Sequence, residues 1–251
     1  MKIAEGVAML ELSAPVPGSS RTVNPTLIWD EDMAILVDTG YPGQADMIRK
    51  EIAKAEVPLA QVAEVIITHH DMDHIGSLSA LSREIPQKVQ VLAHEGEKPF
   101  VQGEKTAIKL AQLEERLDSL SAEMEERYKI LKNAYKNLTV AVDKCLADGE
   151  GLPYCGGIKV IHTPGHTPGH ICLYLEEQKI LIAGDALNVA DGRLVGPNPE
   201  YTFDLDLAVK SLQKLLNYDI QKVICYHGGL YEDNPNRRIA ALAKGNLNDQ
   251  E

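Results

Sequence analysis

Short apolar runs, many of them β-branched, alternate along the chain with stretches of helical spacing. Residues 1 to 12 and 21 to 37 alternate or run apolar and read as opening strands, with a turn through Pro15, Pro17, Gly18, Ser19 and Ser20 between them. Further strands are predicted over Val62–Thr68, Val89–Ala93, Ile158–His162 and Val223–Tyr226. Ile171–Glu176 and Lys179–Ala183 read as a hairpin. Helical spacing marks Gln44–Glu56, through Met47, Ile48, Ile52 and Ala55, with Pro58 just past its end. Phe203–Leu216 and Arg237–Lys244 read as helices too. Strands in two groups, each with helices interspersed, suit two packed sheets covered by helices.

One stretch stands apart. From Glu104 to Asp148 there is neither Gly nor Pro, and Leu110, Leu113, Leu117, Leu120, Met124, Tyr128, Leu131, Tyr135 and Leu138 form a helical stripe. A single helix of ~35 residues would run about 50 Å, longer than a compact domain needs. The stretch therefore reads as a helical insertion around residues 104–148. Its roles stay open among a homodimer interface, a hairpin bending near Ser119–Ala122, a lid, and a stripe packed on its own domain.

Composition narrows the class. The 251 residues are 44% hydrophobic and 25% charged, ordinary for a soluble globular protein, and read as one domain over 1–251. A net charge of −12 argues against nucleic acid or an anionic membrane as partner, but not against a small anionic substrate. No apolar run reaches bilayer length, and Glu5 and Glu11 interrupt the N-terminus, so no signal peptide is expected and the cytoplasm is the expected location. Cys145, Cys155, Cys172 and Cys225 form no Cys-x-x-Cys pair, three of them sit in apolar or strand-like settings, and they read as reduced core thiols.

The candidate chemistry lies where buried strands end. Val65-Ile66-Ile67 runs into Thr68-His69-His70-Asp71-Met72-Asp73-His74, with three imidazoles and two carboxylates in six residues. Residues i and i+2 of an extended segment share a side, so His69 and Asp71 can face one metal ion, while Asp73 and His74 swing toward a second point as the chain coils. Burying these groups without partners would cost several kcal/mol, so packing alone does not account for them.

His69–His74 resembles the His-x-His-x-Asp-His signature of metallo-β-lactamase fold hydrolases, with Asp71 in place of the second histidine. Thr163-Pro164-Gly165-His166-Thr167, Gly184-Asp185, the terminal His227 and the early Asp38-Thr39-Gly40 turn resemble other segments of that family, in the same order. The resemblance implies a mixed α/β (α+β) fold, a four-layer αββα sandwich. It also implies a dinuclear centre: His69, Asp71 and His166 on one metal, Asp73, His74 and His227 on the other, and Asp185 bridging. Asp38 would orient a metal-bound histidine. His70, His94, His162 and His170 are left outside the ligand set.

Two divalent ions sharing a water would bring its pKa toward neutrality, giving a hydroxide for attack, with Asp73 orienting it as the catalytic residue. The expected reaction is hydrolysis of an ester, lactone, thioester, amide or phosphoester in a small molecule. Asp71 lowers the formal charge of the centre by one relative to histidine. Zinc is the first expectation for the cofactor, with iron or manganese the alternatives because Asp71 adds an oxygen ligand. The alternative function is a diiron redox enzyme of the same fold, supplied by a separate electron donor.

Overall fold

Alternation along the central strands decides the layers. In the computed structural model, which describes residues 1–16, 19–119 and 121–245, Ala34–Val37 is buried on both faces. Ile35 and Val37 point into the core between two sheets, and Ala34 and Leu36 point to the helices outside. Successive strand residues face opposite sides, so such a strand must be apolar throughout. Ile171–Leu175 behaves alike on the other sheet. Ile171, Leu173 and Leu175 join the inter-sheet core, while Cys172 and Tyr174 face outward under helices.

The first sheet has seven strands, in spatial order Lys2–Ala4, Val7–Met9, Thr26–Trp29, Ala34–Val37, Val62–Ile67, Gln90–His94 and Lys144–Leu146. It is antiparallel up to Ala34–Val37 and parallel beyond. The second sheet has six strands: Gly151–Leu152, Ile158–His162, Ile171–Leu175, Ile180–Ile182, Lys222–Cys225 and Gly229–Tyr231. Ala45–Lys54 and Leu78–Glu84 cover the first sheet through Ile48, Ile52, Leu78 and Leu81. Leu205–Ser211 leads into a 3₁₀ turn, Leu212–Asn217, whose Leu212 and Leu215 cover the second sheet together with Ile239 and Leu242 of Pro235–Leu242. These are the four αββα layers expected.

Two expectations are corrected, and among the alternatives for residues 104–148 the bend is the one observed. The segment between the opening strands is a hairpin, not only a turn: Leu12–Val16 pairs with Ser19–Val23, so Pro15, Ser19 and Ser20 lie in strands of a two-stranded ribbon outside both sheets. Pro17 and Gly18 lie outside the described residues. The 104–148 stretch is not one helix. Ile108–Glu114, a 3₁₀ turn at Leu117–Ser119 and Ala122–Lys136 form the bend expected as one alternative near Ser119–Ala122. Ser121 starts the second helix, its hydroxyl accepting from Met124 N–H at 3.3 Å. Leu110 and Tyr128 then pack together with Leu113, Leu117, Leu131 and Tyr135, so part of the stripe is buried within the hairpin; Leu120 lies outside the described residues. The insertion is also shorter than 104–148. Its helices end at Lys136, and Lys144–Leu146 is the parallel edge strand beside Gln90–His94.

Candidate metal centre

Every candidate ligand follows the C-terminal end of a strand, and these ends gather along one edge of the sandwich. Val62–Ile67 delivers His69 and Asp71, and the short helix Met72–Ile75 then turns Asp73 and His74 inward. Ile158–His162 leads to His166, Ile180–Ile182 to Asp185, and Lys222–Cys225 to His227. Gly184 is needed before Asp185: its φ is +51°, and a Cβ there would lie 2.6 Å from His170 Nε2.

The structure brings all seven predicted residues together in two groups. His69, Asp71, His166 and Asp185 form one, and Asp73, His74 and His227 the other; within each, the potential ligand atoms lie within 4.8 Å of one another. Asp185 faces both. Its Oδ2 is 3.4 Å from His166 Nε2, and its Oδ1 is 3.3 Å from His74 Nε2 and 3.5 Å from His227 Nε2. Asp71 Oδ2 lies 2.9 Å from His166 Nε2 and 3.2 Å from His69 Nε2, so the carboxylate that replaces the signature histidine points inward with them. Asp73 Oδ2 is 3.3 Å from His227 Nε2.

The outer ring of hydrogen bonds sets the tautomers. Asp38 has φ of 61° and accepts from Thr68 N–H at 2.9 Å, from the Thr68 hydroxyl at 2.7 Å and from His74 Nδ1–H at 2.8 Å. Because the Thr68 hydroxyl hydrogen goes to Asp38, its oxygen accepts from His69 Nδ1–H at 3.1 Å. The Thr202 hydroxyl donates to Asn198 O, leaving its oxygen to accept from His166 Nδ1–H at 3.3 Å. All three rings therefore turn Nε2 toward the centre, the arrangement a metal-binding imidazole requires.

The donor set fits a cation. His74 Nε2 and Asp185 Oδ1 are buried without hydrogen-bond partners, among the few such side-chain atoms in the described residues. Burial, with neighbouring His74, holds the His69 imidazole well below its ordinary pKa, so its Nε2 lone pair faces the Asp71 oxygens. A cation between them relieves that opposition. Burial works against ionisation at His74 and His227, yet the Asp38 and Asp185 carboxylates push His74 well up, and Asp185 brings His227 up to about 9. At Asp185, burial is likewise outweighed by His227, His74 and His166, which hold the carboxyl well below its usual range. These carboxylates draw protons onto His74 and His227 where no other cation serves.

The four histidines left out of the set make contacts of their own. His70 turns away: its Nδ1–H donates to Glu97, and its ring stacks on Phe100 at 4.2 Å. His94 and His162 stack on each other at 4.0 Å. His170 sits behind the site, where its Nε2 accepts from Asp185 N–H at 3.0 Å; burial holds its imidazole down at about 3.

Other residues at the site escaped the sequence. Tyr226 stacks on His74 with ring centroids 3.8 Å apart, and its hydroxyl donates to Asp73 O and accepts from Gly40 N–H. Glu97 is fully buried and ties two ligand loops together, accepting from His70 N–H at 2.9 Å and from the Thr167 hydroxyl and Gly169 N–H, each at 2.7 Å. Lys109, on the insertion, forms an ion pair with Asp71 Oδ2. Burial alone would lower its pKa, but Asp71 raises it. Nothing in the spacing of an amphipathic helix marks such a lysine. Above the centre opens a cleft of about 1310 Å³, walled by the insertion and by residues 195–203.

Comparison with known proteins agrees with this fold. The profile of the metallo-beta-lactamase superfamily matches residues 19–227. A probable metallo-hydrolase of Bacillus subtilis, YflN, is 29% identical over 205 residues, 77% of this chain and 75% of the relative. The hydroxyacylglutathione hydrolase GloC of Haemophilus influenzae is 26% identical over 216 residues, 85% of this chain and 89% of the relative. Among solved structures, a metallo-beta-lactamase family protein from Thermus thermophilus superposes with a TM-score of 0.74 at 25% identity, over 97% of this chain and 80% of that one.

Proposed function

The chain belongs to the metallo-β-lactamase superfamily, and we propose that it is a metal-dependent hydrolase of a small molecule, cleaving an ester, lactone, thioester or phosphoester bond. The observation that carries this is Asp185, whose two oxygens each face a separate group of ligands. His69, Asp71 and His166 would hold one divalent ion, Asp73, His74 and His227 the second, and Asp185 both. Zinc is the first candidate, with iron or manganese favoured by the Asp71 oxygen. When bound, such ions supply Lewis acidity, acidifying a water and polarising the oxygen of the bond to be cleaved.

The chain's own groups do the rest. Asp38, directly at His74 and through Thr68 at His69, keeps those rings protonated at Nδ1 and turned inward. Tyr226 fixes the backbone of Asp73 and packs on the His74 ring. Asp73 has an 18% exposed side chain that reaches the cleft, where it orients the attacking water.

The test is a hydrolysis screen of the purified protein against 4-nitrophenyl esters, lactones, acyl thioesters and bis(4-nitrophenyl) phosphate, with and without chelator. Turnover of at least one class is expected, lost with chelator and in Asp185→Asn. No turnover across the panel by protein that holds its metals would overturn the reading.

A further inference from the structure

The charge of the cleft runs against the charge of the chain. Acids outnumber bases by 37 to 25 overall. Outside the three carboxylates of the centre, however, the cleft is lined by three cations, Arg21, Lys109 and Arg116, and one acid, Glu200. Lys109 lies closest to the chemistry. It is held from three directions: by Asp71 beneath, by the Tyr201 ring with its centroid 5.3 Å away, and by its own backbone. The backbone hold comes from the preceding residue, since Ile108 N–H donates to His70 Nε2 at 3.3 Å, and His70 is anchored on Glu97. One ammonium hydrogen goes to Asp71, and a side chain still 35% exposed leaves the other donors to the cleft. Arg21 also lines the cleft, within electrostatic reach of Tyr41 and Asp73. Around these cations the lining is apolar, with Ile108, Leu113 and Leu131 on the insertion and Pro197 and Phe203 opposite.

We propose that the substrate is an amphipathic anion: a carboxylate or phosphate held by Lys109 and Arg21, on an apolar body lying against the insertion, with the scissile bond reaching the centre. Lys109 is the specificity-determining residue, and the insertion is the element that carries it. A lone cation serving only to neutralise Asp71 would need neither the Tyr201 ring nor the exposed donors. A charge-assisted bond to an oxyanion is roughly twice as strong as a neutral one, so loss of Lys109 falls selectively on anionic substrates.

This inference rests on the hydrolase reading, and its test separates the two. The purified protein and Lys109→Met are each given two esters of matched length, 4-nitrophenyl hydrogen glutarate and 4-nitrophenyl valerate. The wild type is expected to prefer the anionic ester in kcat/KM, and the preference is expected to fall about tenfold in the variant, chiefly through KM. Taking the ratio within one preparation cancels differences in metal loading. Arg21→Gln is expected to lower the same ratio. Inhibition of valerate ester hydrolysis by glutarate and by inorganic phosphate distinguishes a carboxylate from a phosphate as the anion recognised. An equal preference in wild type and Lys109→Met would overturn the proposal. Should neither ester be cleaved, the hydrolase reading is decided by the wider panel above and calorimetry decides this inference: glutarate binding more tightly than valeramide, and weakened by Lys109→Met, upholds it, while equal binding of the two overturns it.

Discussion

His74 Nδ1 donates a 2.8 Å hydrogen bond to Asp38 Oδ2, while the opposite ring nitrogen, Nε2, is buried with no hydrogen-bond partner. The bond settles which nitrogen carries the hydrogen and leaves the other facing Asp185 at 3.3 Å. A residue that never reaches the centre thus governs a ring that does.

Asp38→Asn tests that control. Asparagine tolerates the left-handed backbone Asp38 adopts, so the substitution changes charge and acceptor strength with little strain. It is expected to weaken metal binding by about 10–100-fold, read by competition with a coloured chelator. Unchanged affinity would show that Asp38 serves only the turn.

Glu97 offers a second test away from the ligands. Its two oxygens accept four hydrogen bonds, from His70 on one side and from Thr167 and Gly169 on the other. In Glu97→Gln the amide nitrogen must face donors on one of those sides. Loss of about 1–3 kcal/mol of stability is expected in denaturant unfolding, and the loops bearing His69 and His166 are expected to exchange amide hydrogens faster.

Glu64 contributes to the pH dependence of stability from outside the centre. Glu64 is 8% exposed, and its Oε2 has no hydrogen-bond partner. Burial raises its pKa above the ordinary 4.5, against the opposing effects of Tyr154 and Lys144. A carboxyl with a raised folded pKa holds its proton more tightly when folded. Its contribution to stability is therefore full below pH 4.5 and is lost as pH rises through the folded value. Glu64→Gln removes that loss. The variant is expected to melt about 2–4 °C above wild type at neutral pH, with the gap closing in acid. A constant gap across pH would contradict the assignment.

Much of the centre was legible in the sequence because the chemistry breaks the packing rules. His69, Asp71, Asp73 and His74 follow a strand that is apolar throughout its final turn into the site, and no core explains them. The αββα layers were legible for a related reason, since strands such as Ala34–Val37 lack the polar alternation of a half-exposed sheet. What was not legible depends on tertiary neighbours. Lys109 occupies one position of an amphipathic helix like any solvated lysine, and it is tertiary contacts, the His70–Ile108 bond and the Tyr201 ring among them, that set it over Asp71. Glu97 and Tyr226 act through bonds between segments far apart in the chain. The edge strand Lys144–Leu146 was hidden because it is three residues long and lies inside a stretch without Gly or Pro that otherwise reads as helical. The ribbon of Leu12–Val16 was masked by Pro15, which a two-stranded ribbon tolerates where a central strand would not.

The central claim is a dinuclear centre bridged by Asp185. Elemental mass spectrometry of protein purified without chelator or added metal tests it most directly, run beside Asp185→Asn. About two divalent ions per chain are expected in the wild type, falling to one or fewer in the variant. Protein that holds no metal, even after dialysis against zinc, manganese and iron, would contradict the account.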